Sequence, residues 1–119
     1  MDNKYFTTTI DNDKMVFEFC KDCTKVDAKN FQEIEKEAKD EINSASGDIA
    51  EIEFNLANVT YVSSAGLRMF SAINSLSQEH GLDYSVVDLR KDILKMFQLT
   101  GYSSIFKTVE KPEFGPADN

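Results

Sequence analysis

Short stretches of the chain alternate apolar and polar residues, which is the pattern of a β-strand buried on one side only. The stretches with this pattern are residues 5–10, 15–20, 48–56 and 83–89. The first two flank Asn12-Asp13, a dipeptide typical of tight turns, so they are predicted to form an antiparallel hairpin. The clearest alternation is that of Ile52, Phe54 and Leu56 with their polar neighbours.

Other stretches repeat apolar residues every three to four positions, as amphipathic helices do. The stripe of the first predicted helix consists of Phe31, Ile34, Ala38 and Ile42. Asp27 or Asn30 is the expected N-cap of this helix, and Ser44–Gly47 the expected end. A second helix is predicted from Ser64 to His80 and a third from Lys91 to Thr100, each followed by a glycine.

The order of these elements predicts an α/β fold in which parallel strands are joined by right-handed helical crossovers after an opening hairpin. Polar residues within 51–55 indicate that one sheet face is left uncovered. We therefore expect a mixed sheet of four to five strands with three to four helices packed mainly on one face. Residues 105–109 are predicted to form a last short strand or a helical turn. Residues 1–110 are expected to form one domain, and 111–119, which contain both prolines, a disordered tail.

The charge of the chain restricts its partners. Asp and Glu number 21 against 13 Lys and Arg, which gives a formal net charge of −8. Such a surface repels phosphate backbones and anionic lipid, so we expect no nucleic acid and no membrane insertion. The sequence contains no signal peptide and no apolar run of membrane-spanning length, which predicts a cytoplasmic protein with a protein partner.

A serine pair lies at the predicted junction between a strand and the second helix. Ser63 and Ser64 follow Tyr61-Val62 and precede the apolar stripe that begins at Leu67. Serine is a preferred N-cap, so one interpretation is that either residue only caps the helix. Unpaired N–H groups and the positive end of the helix dipole also make this position favourable for an anion.

The segment Val62-Ser63-Ser64-Ala65-Gly66-Leu67 resembles the signature loop of the STAS domain, the family of bacterial anti-sigma-factor antagonists, whose usual form is Asp-Ser-Ser-Gly-Leu. Lys25-Val26-Asp27-Ala28 is similar to the turn that opens the first helix of that family, and Leu99-Thr100-Gly101 to its Leu-Thr-Gly ending. The resemblance extends over roughly residues 5–109 and includes the predicted order of strands and helices.

The resemblance implies a binding module that docks, when unphosphorylated, on an anti-sigma factor with an ATP-binding serine-kinase fold and so releases a sigma factor. Ser64 is then the phosphorylation site, and the kinase supplies ATP and metal, so the chain itself needs no cofactor. The partner-binding residues that it implies are Asp27, Tyr61, Ser63, Ser64, Ala65, Gly66, Leu67 and Arg68. We expect a monomer or a weak dimer. Because Ser63 replaces the usual Asp, an alternative is a scaffold subunit of a signalling complex or lipid-transport assembly that works without phosphorylation.

Catalytic alternatives find little support in the sequence. The only histidine, His80, lies sixteen positions beyond Ser64 on one predicted helix, about 24 Å away at 1.5 Å per residue, so it cannot activate that serine. Cys20-Lys21-Asp22-Cys23 is a C-x-x-C pair, but a structural zinc site needs four ligands and no second pair exists. We predict no metal site and no enzyme; a small flavodoxin-like enzyme that uses these cysteines or the serine loop is the remaining alternative.

Overall fold

The computed structural model describes residues 3–112, which contain seven strands, three α-helices and one turn of 3₁₀ helix. The strands are β1 (Phe6–Asp11), β2 (Lys14–Phe19), β3 (Lys25–Val26), β4 (Glu51–Asn55), β5 (Tyr61–Val62), β6 (Asp83–Leu89) and β7 (Lys107–Glu110). The α-helices are α1 (Phe31–Ala45), α2 (Ser64–Glu79) and α3 (Lys91–Leu99), and the 3₁₀ turn is Tyr102–Ser104. Residues 113–119 of the predicted tail lie outside the described part of the chain.

Five strands form a mixed sheet in the order β1-β2-β4-β6-β7. The hairpin partners β1 and β2 are antiparallel, whereas β2, β4, β6 and β7 are parallel to one another. The chain passes from β2 to β4, from β4 to β6 and from β6 to β7, and each new strand is added on the same side of the previous one. Because such crossovers are right-handed, helices added in this way collect on one face of the sheet.

Aromatic rings join this face to the helices. Phe54 of β4 stacks on Phe17 of β2, with ring centroids 4.6 Å apart, and meets Phe70 of α2 edge to face at 6.1 Å. Phe70 in turn contacts Phe97 of α3 at 5.3 Å. Helix α1 lies over the hairpin on the same side, where the Thr8 hydroxyl donates to Glu41. The prediction of an α/β fold with a mixed sheet of four to five strands and three to four helices mainly on one face is therefore confirmed, with five strands and three α-helices among residues 3–112.

The opposite face of the sheet carries the polar half of each alternating pattern. Glu51, Glu53 and Asn55 of β4 are only partly buried, while Ile52 and Phe54 between them are fully buried. Lys14 on the neighbouring strand pairs with Glu53 at 3.2 Å. This face has no helix over it within residues 3–112, as the alternation predicted.

The helix ends agree with the sequence patterns. Gly81 after α2 and Gly101 after α3 have φ values of +69° and +84°, conformations in which a side chain is strained. The strand predicted at 48–56 is shorter in the structure, where β4 covers only Glu51–Asn55. The last element, predicted as a short strand or a helical turn, is the strand β7. The two-stranded parallel pair β3–β5 was not predicted, because two residues are too few to show a period.

Candidate functional site

The serine pair lies at the first turn of α2, close to the carboxyl ends of the parallel strands. The chain between β4 and α2 is held there by side-chain and backbone bonds: the Asn58 amide donates to the Phe19 carbonyl at 2.8 Å, and the Leu56 N–H to the Val87 carbonyl at 3.0 Å. The pair β3–β5 then fixes the direction in which the chain enters the helix, with Lys25 opposite Tyr61 and Val26 opposite Val62.

Ser63 is the N-cap of α2. Its backbone is extended, with φ −83° and ψ 171°, and its hydroxyl oxygen accepts a hydrogen bond from the Gly66 N–H at 3.0 Å. The Ser63 carbonyl accepts the first helical bond, from the Leu67 N–H at 2.9 Å. Ser63 is thus partly buried, and of the two serines it is the one that caps the helix.

Ser64 is the first residue of α2 and is exposed. Among residues 3–112, no group forms a hydrogen bond with its hydroxyl. A hydroxyl in this situation is sterically open to another protein. It also lies at the positive end of a sixteen-residue helix, where added negative charge is tolerated.

Close packing under the loop holds the two serines in position. A Cβ placed on Gly66 would lie 2.2 Å from the Val26 carbonyl oxygen, far inside van der Waals contact. The same carbonyl accepts a hydrogen bond from the Ser63 N–H at 2.9 Å. The first turn of α2 therefore lies directly against β3, and only glycine allows that approach.

Exposed cations lie on the elements that adjoin the serine pair in this acidic protein. Arg68 follows it by four positions, so the two residues share one side of the helix, and Lys25 and Lys29 are exposed on the adjoining β3–α1 segment. Within the described residues, none of the three cations forms an ion pair. Tyr61, with half of its surface exposed, adds an aromatic side chain to the same region.

The eight predicted partner-binding residues divide into exposed and buried ones. Tyr61, Ser64 and Arg68 are exposed, while Asp27, Ser63 and Ala65 are partly buried. Gly66 and Leu67 are buried, and Leu67 is only 5% exposed. Leu67 belongs to the hydrophobic core, so Tyr61, Ser64 and Arg68 offer most of the exposed surface, and the binding role of all eight residues stays a prediction.

Asp27 and Asn30 shape the neighbouring loop rather than capping α1 with their side chains. Asn30 occupies the N-cap position, but its side chain makes no capping bond. Instead the Asn30 amide donates to the Lys25 carbonyl at 2.8 Å and accepts from the Asp27 N–H at 2.9 Å. The Asp27 carboxylate accepts from the Lys29 N–H at 3.0 Å. These local bonds explain why the expected capping pattern did not form.

The cysteines are both free thiols. Cys20 is partly exposed and Cys23 is buried, and burial raises the pKa of the Cys23 thiol to about 11. No group of three or more metal-ligating side chains occurs in residues 3–112. His80 lies at the far end of α2, where it contacts Asn43 at 3.0 Å. Of the helices in the described chain, none has the length and apolar character that a bilayer span requires.

The fold and the loop together define a class of protein: an α/β domain with an open sheet face that presents a serine at the N-terminus of its second helix. The model of the STAS domain family matches residues 7–114, so the chain belongs to that family. No curated protein is similar enough in sequence to give a significant match.

Solved structures with the same fold include anti-sigma-factor antagonists. A candidate antagonist from Thermotoga maritima is 20% identical, with a TM-score of 0.76 over 88% of this chain and 86% of that chain. A STAS protein from Planctomyces limnophilus is 10% identical, with a TM-score of 0.76 over 91% and 92%. Phosphorylated SpoIIAA from Bacillus is 13% identical, with a TM-score of 0.62 over 87% and 89%. At these identities the structures establish the shared fold.

Proposed function

We propose that this protein is an anti-sigma-factor antagonist whose binding is switched by phosphorylation of Ser64. In its unphosphorylated form it binds an anti-sigma factor with an ATP-binding serine-kinase fold and thereby releases a sigma factor. The observation that carries the proposal is the contrast between two adjacent serines: Ser63 caps the helix, while the Ser64 hydroxyl is exposed and has no partner in residues 3–112.

The position of Ser64 suits a switch that changes binding without unfolding the domain. A phosphate adds close to two negative charges, and at a helix N-terminus the helix dipole offsets part of their cost. The exposed surface around Ser64 includes Tyr61, Arg68 and Lys25. A dianion added among these groups changes the charge that a partner meets and must be desolvated on docking, which opposes binding.

The domain family and its relatives support the choice of partner. The chain is a STAS domain, and one structure with the same fold is SpoIIAA, an anti-sigma-factor antagonist known in phosphorylated and unphosphorylated forms. The partner of this chain is accordingly proposed to be a kinase of the anti-sigma-factor class, and the chain itself to supply only the acceptor hydroxyl.

Phosphate transfer tests the proposal directly. The purified protein is incubated with ATP and each anti-sigma-factor kinase of its own genome, and the products are located by tandem mass spectrometry. We expect one phosphate, on Ser64. The Ser64→Ala variant should bind the kinase but gain no phosphate, and Ser64→Asp should bind at least tenfold more weakly, a loss of about 1.4 kcal/mol. Phosphate found only on Ser63 would overturn the proposal.

One feature favours the alternative of a scaffold that works without phosphorylation. Ser63 occupies the position at which the family usually has Asp. A carboxylate and a hydroxyl can both accept the Gly66 N–H, but only the carboxylate adds charge beside the acceptor serine. Introducing the carboxylate with Ser63→Asp separates the alternatives: faster phosphorylation of Ser64 supports the switch, whereas no phosphorylation of either form by any of the kinases supports the scaffold.

A further inference from the structure

A groove of about 580 Å³ lies along the outer edge of the sheet, between strand β1 and helix α1. Strand β1 pairs with β2 on one side and, within residues 3–112, has no strand on its other side. Two side-chain bonds show that α1 follows this edge. Tyr5, just before β1, donates a hydrogen bond to Glu33 of α1. Thr8 of β1 donates one at 3.1 Å to Glu41, eight positions further along the helix. We call this space the edge groove.

The floor of the edge groove belongs to the helix-covered face of the sheet. In the hairpin register Ile10 lies opposite Met15, so both side chains point to the side on which α1 lies. Met15 is buried, but Ile10 is 53% exposed. Ile10 is thus a large apolar side chain on the core side of an edge strand, at a place that α1 covers only in part.

The helix wall of the edge groove is acidic. Its charged residues are Glu37, Asp40, Glu41 and Asp48, and among residues 3–112 no lysine, arginine or histidine lines the groove. Of the two lysines of α1, Lys39 pairs with Glu35, outside the groove, and Lys36 pairs only with Asp40. Negative charge therefore exceeds positive charge along this wall, and a cation placed in the groove would be attracted to it.

An extended segment laid beside β1 would fill the edge groove with alternate side chains. A strand that adds to a sheet edge is held by backbone hydrogen bonds, and every second side chain points to the same face. On the helix-covered face these side chains would lie between Ile10 and the acidic wall. On the open face they would lie beside Thr7 and Thr9, whose β-branched side chains suit cross-strand contact.

We propose that the edge groove binds an extended segment of a partner protein that carries lysine or arginine at alternate positions and adds to the sheet as a sixth strand beside β1. The apolar stems of these side chains cover Ile10, and their charged ends reach Glu37 and Asp48. Charge selects this occupant, because a second copy of the chain would bring its own net charge of −8 and a second acidic wall to the same place. This inference does not depend on Ser64.

Nuclear magnetic resonance titration of the full ¹⁵N-labelled chain with capped octapeptides tests the proposal. The probes carry lysine or arginine at every second position and threonine or valine between them. For at least one probe we expect saturable shifts of the amides of β1 and of residues 37–48, with a dissociation constant of about 1 mM or tighter. We also expect cross-strand nuclear Overhauser effects between that peptide and β1.

Two control peptides separate strand addition from simple charge attraction. A peptide with glutamate in place of the cations should cause no such shifts, and one of the same composition with its cations in a single block should bind at least threefold more weakly. Shifts confined to other regions, equal binding of either control, a helical bound peptide, or no saturation with any probe would each overturn the proposal. Concentration-dependent shifts of β1 without peptide would also overturn it, because a second copy would then occupy the groove.

Two variants test the assigned contacts. Glu37→Gln should weaken peptide binding at least threefold by removing a charge of the wall, and Ile10→Ser should do so by removing the apolar floor. Glu79→Gln is the matched control, since it removes an equal charge from an exposed position of α2 and should leave binding unchanged. Binding that is undiminished by Glu37→Gln or by Ile10→Ser, or that is weakened as much by Glu79→Gln, would show that the groove is not the binding site.

Discussion

Ser63 and Ser64 have the same side chain, yet their positions relative to the helix give them different physical roles. Ser63 has an extended backbone and its oxygen accepts from the Gly66 N–H, whereas Ser64 is already helical and its hydroxyl faces solvent. One serine therefore contributes to stability and the other is available for modification. The two roles can be separated experimentally, because Ser63→Ala and Ser64→Ala each remove a single oxygen atom.

Ser63→Ala should lower the free energy of unfolding by about 1 kcal/mol, because the Gly66 N–H loses its acceptor. Ser64→Ala should change it by less than about 0.5 kcal/mol, as is usual for an exposed position without partners. Urea unfolding of both variants measures the difference. Equal losses from the two substitutions would contradict the assignment of Ser63 as the cap.

The thiols of Cys20 and Cys23 should also differ in reactivity. The pKa of Cys23 is raised to about 11, chiefly by burial, so almost none of it is thiolate at neutral pH. Iodoacetamide at pH 8 should therefore alkylate Cys20 at least tenfold faster than Cys23, as measured by peptide mass spectrometry. Prior unfolding in urea is the control and should make the two rates similar. Comparable rates in the folded protein would argue for an activated pair.

The loop that presents the serines depends on contact between two elements, the short strand β3 and the first turn of α2. Gly66 allows this contact, because a Cβ there would overlap the Val26 carbonyl oxygen. The same carbonyl binds the Ser63 N–H, so any separation of α2 from β3 also disturbs the cap. Gly66 thus matters for packing, although its φ angle is not among the positive ones.

Gly66→Ala should destabilise the protein by about 1 to 3 kcal/mol, the usual cost of overpacking a tight contact. Gly47→Ala is the matched control, since a Cβ at Gly47 meets nothing within 4 Å and should leave stability nearly unchanged. Thermal unfolding followed by circular dichroism measures both. A neutral Gly66→Ala would mean that β3 can move away from the helix at little cost.

The molecule as a whole places its groups asymmetrically about the sheet. All three helices cover one face, and the aromatic core between them includes Tyr84, whose hydroxyl donates to the Phe70 carbonyl at 3.1 Å. Burial raises the pKa of Tyr84 well above its usual value near 10. This makes the stability of the whole domain depend on pH at the alkaline end.

The free energy of unfolding should fall as pH rises above about 10, since the unfolded tyrosine then releases a proton that the folded one retains. Below that pH the contribution of Tyr84 is present in full. Urea unfolding of the wild type and of Tyr84→Phe across this range isolates the effect: the variant should be less stable at pH 7 by about 1 kcal/mol but show a shallower alkaline loss. Parallel curves would exclude Tyr84 as the cause.

The periodic parts of this protein could be predicted from its residues alone. Alternation marked the strands around Phe17 and Phe54, three- to four-residue spacing marked α1 and α2, and polar residues within 51–55 indicated a face without helices. These features are local, because each residue's side of a strand or helix follows from its position in the repeat.

Other features depend on segments that are distant in the chain, and only the folded structure defines them. The pairing of β3 with β5 and the approach of Val26 to Gly66 both join residues more than 30 positions apart. The start of β6 likewise has no strand beside it on one side, because β7 pairs with β6 only from Ser85 onward. A sequence repeat specifies which side of an element is apolar, but the distance between two elements is set by how their side chains pack.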